Sequence, residues 1–144
     1  MQEKISVIIP ALNEADLIYS QVKSLFHKGN DSALEVIVVD GGSSDNTREL
    51  ALKAGAQVID SAPGRSVQMN AGAARATGDV FYFVHADLTV PDTFVEDIRK
   101  AVAGGFSYGC YQVAFDRPVK GLRFNSSLSK YQGIFFRGET KLCI

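Results

Sequence analysis

The sequence predicts an α/β layered domain on a mostly parallel sheet. Three observations carry this. Four short apolar runs alternate with stretches of helical periodicity over roughly the first 100 residues. The runs are apolar at nearly every position, as strands covered on both faces must be. Polar residues and glycines gather directly after the runs, where open parallel sheets bind ligands.

Ile5 to Ile9 reads as the first strand, ended by Pro10. Asn13 is placed to cap a helix whose apolar face is Leu17, Val22, Leu25 and Phe26, and Gly29 to Ser32 ends it. Val36 to Val39 is the second strand. Gly41-Gly42-Ser43 turns the chain, Ser44 or Asp45 caps a second helix through Leu50 and Leu52, and Gly55 breaks it. A shorter third strand covers Ala56 to Ile59, and Pro63-Gly64 marks a loop. An Ala-rich helix then runs from about Ser66 to Ala76 and stops by Gly78. Val80 to Val84 is the fourth strand. Pro91 suits the first turn of a helix reaching about Val102. Its Asp92, Glu96 and Asp97 come early and Arg99 and Lys100 late, which complements the helix dipole. Tyr108 to Phe115 is a further strand, parallel or antiparallel. Phe124 to Tyr131 has a helical pattern, and Gln132 to Phe136 a last short strand.

At 144 residues the chain is one domain's worth. Hydrophobic residues at 46% and charged residues at 22% exclude wholesale disorder. A net charge of −1 excludes a uniformly basic nucleic-acid coat. The charge is uneven. From Arg117 on, Arg117, Lys120, Arg123, Lys130, Arg137 and Lys141 face Glu139 alone, while the rest of the chain is acidic. This tail reads either as a solvated surface or as a site for an anionic acceptor or a membrane headgroup layer. Cys110 and Cys143 have neither scaffold nor metal-ligand spacing, so they are expected as buried or free thiols in a reducing compartment. There is no signal-peptide pattern and no apolar run near the ~20 residues of a membrane span, so the expected location is cytoplasmic.

Four polar sets follow the strands: Pro10-Ala11-Leu12-Asn13-Glu14; Asp40 to Asp45; Gly64-Arg65 leading to Gln68, Asn70 and Gly72; and His85-Ala86-Asp87. Singly each has a plain reading. Asn13 and Ser44 serve as caps, Asp40 as a turn former, Arg65 as a surface ion-pair partner, Asp87 as a cap. Their coincidence at one end of four strands points instead to nucleotide-diphosphate binding. A carboxylate such as Asp40 accepts hydrogen bonds from a base or ribose, and neighbouring glycines admit a flat ring. Asp87 offers a hard oxygen to Mg²⁺ or Mn²⁺ and Arg65 a cation to phosphates. A dehydrogenase would want Gly-x-Gly-x-x-Gly after a strand, and a P-loop enzyme Gly-Lys-Ser or Gly-Lys-Thr; neither occurs. An aspartyl phosphatase using Asp40 would need an acid two residues on, where Gly42 sits.

Ile5 to Glu14 and Glu35 to Thr47 resemble the opening of family 2 glycosyltransferases with the GT-A fold, a three-layer α/β/α architecture. Gly64 to Gly72 and Phe83 to Asp87 resemble the small branch associated with arsenosugar biosynthesis and radical-SAM neighbours. The likeness is good over residues 5 to about 115. It implies transfer of a sugar from a nucleotide-diphosphate donor to an acceptor hydroxyl with inversion, assisted by Mg²⁺ or Mn²⁺. Pro10, Ala11, Asn13 and Glu14 would line the nucleotide pocket, with Asp40 on the base and Gly41 and Ser43 beside it. Arg65, Asn70 and Gly72 would flank the ribose and diphosphate. His85 stands where the family's Asp-x-Asp motif begins, and Asp87 matches its metal-binding acid.

The resemblance makes residues 1–116 the nucleotide-sugar-binding domain and 117–144 a remnant of the acceptor-binding part, so the chain reads as short at its carboxyl end. Gly-Asp-Gln is expected before the last strand, but Tyr131 takes the place of the Asp. Asp116 and Glu139 are the candidates for a general base, and no motif carries either. The alternative is a nucleotide-binding module with little or no transferase activity. A cut sheet edge would favour a homo-oligomer.

Overall fold

The computed structural model describes residues 2–29, 33–112 and 131–137. Ten elements follow in order: β1 (Ile5–Ala11), α1 (Ala15–Gly29), β2 (Leu34–Asp40), α2 (Thr47–Ala54), β3 (Gln57–Asp60), α3 (Arg65–Arg75), β4 (Val80–Phe83), α4 (Phe94–Ala103), β5 (Tyr108–Gln112) and β6 (Tyr131–Arg137). They form one six-stranded sheet in the order β3-β2-β1-β4-β6-β5. The first four strands are mutually parallel. β6 runs antiparallel to both β4 and β5. The stretch from Phe124 to Lys130 and the region around Cys143 lie outside the described residues, as does most of the basic tail; Tyr131, read as the end of a helical pattern, opens β6 instead.

The layers follow from the period of two along each strand. Ile5, Val7 and Ile9 of β1 join Val36 and Val38 of β2 on one face, under Ile18, Val22 and Leu25 of α1, Ala51 and Ala54 of α2, and Phe94 and Ile98 of α4. Ile8, Ile37, Val39 and Phe83 pack on the other face with Met69 of α3. Both faces are covered, which is why the strand sequences lack alternation. Tyr82 stacks on Phe94 with ring centroids 5.7 Å apart, fixing α4 to β4.

Three local expectations are revised. Pro10 lies within β1 rather than ending it. The Ile8 carbonyl accepts the Val84 N–H on the β4 side, and the Ala11 carbonyl accepts the Gly41 N–H on the β2 side. By alternation the Pro10 nitrogen faces the β4 side, where pairing ceases after Ile8–Phe83. The missing N–H therefore ends one ladder and spares the other. Leu17 is 40% exposed, and Ile18 takes the core position on α1. Phe94, not Pro91, opens α4, and the Pro91 carbonyl accepts the Phe94 N–H in the preceding turn. Cys110 is an exposed free thiol.

Candidate functional site

The carboxyl ends of β1, β2 and β4 bring most of the sequence-predicted residues together. Asn13 is not a helix cap. It sits at φ 55°, in the left-handed region, and its side chain faces the neighbouring loop. The Asn13 N–H donates to the Ser43 hydroxyl at 2.9 Å, and Asn13 Oδ1 accepts the Ser44 N–H at 2.8 Å. Ser43 in turn donates its N–H, at 3.1 Å, and its hydroxyl to the Asp40 carboxylate. Asp40 is buried, and this local turn occupies part of its accepting capacity. Asp40 thus does what its plain reading said, and also stands at the strand end beside Ala11 in register.

Glu14 flanks the start of α1, and its carbonyl accepts the Ile18 N–H. The Glu14 N–H donates to the buried Thr47 hydroxyl at 2.8 Å. Asp45 accepts the Ala15 N–H at 3.1 Å and the Thr47 N–H at 3.0 Å, and also the Thr47 hydroxyl. One carboxylate therefore serves the first turns of two helices. Those bonds hold its pKa below the ordinary carboxylate value, led by the Thr47 hydroxyl. The Glu14 carboxyl moves the other way. Partial burial raises it, and the charges of Asp87 and Asp45 add to the rise. Glu14 thus feels an acid from each of the two neighbouring strand-end loops.

On the far side of this cluster the Arg65 guanidinium donates to Nε2 of His85. Burial lowers the His85 pKa, and the Arg65 charge lowers it further; Asp87 offsets part of this. A His held below its usual 6.5 is neutral near pH 7, so its Nε2 accepts from Arg65 while the proton sits on Nδ1. Asp87 is exposed two residues on. The arrangement offers a guanidinium to an anionic group at the strand ends, and a carboxylate that would meet the same group through a bridging cation.

One predicted residue, Gly72, has a packing role. Gly72 lies on the buried face of α3, where an added Cβ would stand 2.3 Å from Ile8 Cγ2. Its glycine is accounted for by close helix–sheet packing. Asn70 is half-buried on the same helix. Gly41 is pressed against the Gln68 amide, 2.9 Å from where a Cβ would be. Gln68 is buried, and its Nε2 donates to the carbonyls of Ala11 at 2.8 Å and Val39 at 2.9 Å. It ties α3 to the ends of two strands. Gln21 does the same for the loop after β4, donating to the carbonyls of His85 at 3.2 Å and Leu88 at 2.8 Å. Sequence reasoning missed Gln21. The available signal was a polar residue on the buried stripe of α1, between Ile18 and Val22.

Among the described residues no three His, Cys, Asp or Glu side chains converge as a metal cage. A cation at Asp87 would take phosphate oxygens and water among its other ligands, the usual mode for Mg²⁺, and the described residues fit that mode. Among the described residues, no helix is long and apolar enough to cross a membrane.

The layered parallel sheet with its antiparallel β6 defines the GT-A class of nucleotide-sugar transferase folds. Within that class, the model of glycosyl transferase family 2 matches residues 6–142, and the chain belongs to that family. It is 35% identical over 97 residues to glucosyl-3-phosphoglycerate synthase of Mycolicibacterium smegmatis, covering 61% of this chain and 32% of that protein. The solved structure of the Mycobacterium tuberculosis synthase with Mn²⁺, UDP-glucose and phosphoglyceric acid matches with a TM-score of 0.70 and 26% identity. That match covers 95% of this chain and 57% of the other. A mannosyltransferase from Pyrobaculum calidifontis in complex with GDP-Man and Mn²⁺ shares the fold, with a TM-score of 0.74 and 21% identity over 95% of this chain and 45% of that one. The chain spans about a third of the length of the curated relatives it matches.

Proposed function

We propose that the chain carries the donor site of a metal-assisted glycosyltransferase, which moves a sugar from a nucleoside diphosphate to an acceptor hydroxyl with inversion. The observation that supports this best is the convergence of Asn13, Asp40, Ser43, Arg65, His85 and Asp87 at the carboxyl ends of β1, β2 and β4. Pro10, Ala11, Asn13 and Glu14 would border the nucleotide. Asp40 would accept from base or ribose, with Gly41 and Ser43 alongside. Arg65 would meet the diphosphate and Asn70 would flank it. A divalent cation at Asp87, Mg²⁺ or Mn²⁺, would neutralise charge on the departing diphosphate. In the transfer the acceptor oxygen forms a bond to the anomeric carbon as the bond to the diphosphate oxygen breaks. The acceptor proton leaves to a base for which Asp116 and Glu139, both outside the described residues, are the candidates.

Residues 1–116 would form this donor-binding unit, and 117–144 would belong to acceptor binding. The basic residues from Arg117 on suit an anionic acceptor, and the mycobacterial synthase structure contains phosphoglyceric acid as one. The Gly64 to Gly72 and His85-Ala86-Asp87 stretches favour the arsenosugar-associated branch. The test is a thermal-shift panel of UDP, GDP, CDP and dTDP, each with and without Mn²⁺. A ligand at 100 times its Kd adds about 2.7 kcal/mol to stability. One nucleotide should raise Tm, and more so with Mn²⁺. A flat panel would refute the donor site.

A further inference from the structure

We infer that Asp45 and Thr47 are positioning residues that clasp the two nucleotide-facing loops into one rigid unit. The inference rests on the donor-site reading above and adds to it two residues that touch no part of the expected ligand. The Thr47 side chain is fully buried, and its single hydroxyl proton has one destination. The Glu14 N–H donates into the oxygen at 2.8 Å, so the proton goes out to Asp45 Oδ1. Asp45 Oδ2 accepts the Ala15 N–H at 3.1 Å, and Oδ1 also takes the Thr47 N–H at 3.0 Å. The loop after β1 and the loop after β2 are thereby joined twice, through Glu14 and through Ala15.

The clasp lies directly behind Asn13. Asn is among the non-glycine residues that most readily take φ near 55°, and the partners of Asn13 select that conformation here. On its outer side Asn13 is held by Ser43 and Ser44 of the second loop. On its inner side the next two backbone N–H groups are held by Thr47 and Asp45. Both loops must therefore keep their relative position for Asn13, Ser43 and Asp40 to face one ligand. A clasp of this kind removes conformational freedom before binding, which lowers the entropic cost of binding.

The experiment is calorimetric titration of the full chain and its variants with UDP, GDP, CDP and dTDP, each with Mn²⁺. Thr47→Val keeps the shape and loses the hydroxyl, leaving the Glu14 N–H without its partner and Asp45 Oδ1 with the backbone N–H of residue 47 in place of two donors there. Asp45→Asn turns an amide N–H₂ toward one backbone N–H. Each should raise the Kd tenfold or more, and amide exchange at Glu14 and Ala15 should quicken. Thr47→Ser should restore the Kd to within about twofold of the parent. Ser6→Ala, which removes a buried bond at the opposite end of the sheet, should lower Tm and leave Kd unchanged. Should Thr47→Val fail to fold, the exposed Asp45→Asn decides. A lowered Tm with unchanged Kd in Asp45→Asn would mean a merely structural role and overturns the inference. No binding of UDP, GDP, CDP or dTDP by the parent would instead overturn the donor-site reading and the inference with it.

Discussion

Replacing Gly72 by Ala sets two effects of opposite sign against each other, and the structure decides between them. Ala favours a helix interior by about 0.8–1 kcal/mol over Gly. Against this, its Cβ would stand 2.3 Å from Ile8 Cγ2 and 3.0 Å from Val39 Cγ2. Carbon atoms in contact sit ~3.5–4.0 Å apart, so α3 must rise or Ile8 must leave its rotamer. Ile8 and Val39 are wholly buried, with no solvent to yield into. Overpacking of such a site costs ~1–3 kcal/mol, and a contact this short belongs in the upper half. The net expectation is a loss of about 1–2 kcal/mol, or ~3–8 °C in Tm for a domain of this size. Urea unfolding followed by circular dichroism measures it. In an Ile8→Ala background the worst contact is gone, so the cost of Gly72→Ala should fall by ~1 kcal/mol or more. Gly72→Ala matching or exceeding the parent in stability would refute the close-packing account and return the residue to the ligand side.

Three further outcomes follow from the same geometry. Glu35 is buried, which alone would raise its pKa, but bonds from the Ser6 hydroxyl and from the Thr77 N–H and hydroxyl, with the charge of Lys4, outweigh burial and lower it. Its contribution is therefore complete above the unfolded value of about 4.3 and fades as pH falls through the lower folded value. Glu35→Gln should cost ~1–3 kcal/mol at pH 7. The urea midpoints of variant and parent should converge as pH falls through the lowered folded value, and parallel curves would contradict the account. Asp40→Ala should weaken nucleotide binding by ~1–3 kcal/mol through unpaired groups left in a buried site; an unchanged Kd would remove Asp40 from the donor site. Asp87→Asn should abolish the Mn²⁺ enhancement of nucleotide affinity without lowering Tm, and equal enhancement in variant and parent would exclude Asp87 as the ligand.

The strands and the layer order were legible in the sequence because the hydrophobic pattern encodes burial directly. Ile5, Val7 and Ile9 go to one face and Ile8 to the other, and no long-range detail alters that. What was not legible depends on distance through space. Asn13 reads as a helix cap because the cap signal is local, yet its partners are 30 and 31 residues away. Ile18 is the exception, since it lies on one helical stripe with Val22 and Leu25 and the spacing itself favours it over Leu17. The value of Gly72 as a packing residue depends on the identity of Ile8 beneath it, 64 positions earlier in the chain. Gln68 could be seen as polar and near the strand ends, but not as a staple between two strand carbonyls.

The two ends of the sheet show why polar clusters at strand ends are not all alike. At the amino end Glu35 and Ser6 are buried, and their accepting oxygens meet Thr77, Gly78 and Lys4. Such a knot has its hydrogen bonds made within the chain, so it stabilises and offers little to a ligand. At the carboxyl end Asn13, Asp45, Arg65 and Asp87 are exposed, and among the charged residues described there Asp40 is the buried one. The bonds there run chiefly between loops, which fixes the loops while leaving charged groups facing outward. Rigid support behind and unspent charge in front is the combination that preorganised anion binding requires. By that criterion the carboxyl end is the binding end, and the sequence alone, which shows Glu35 and Asp40 as equally isolated acids at opposite ends of one strand, could not have separated them.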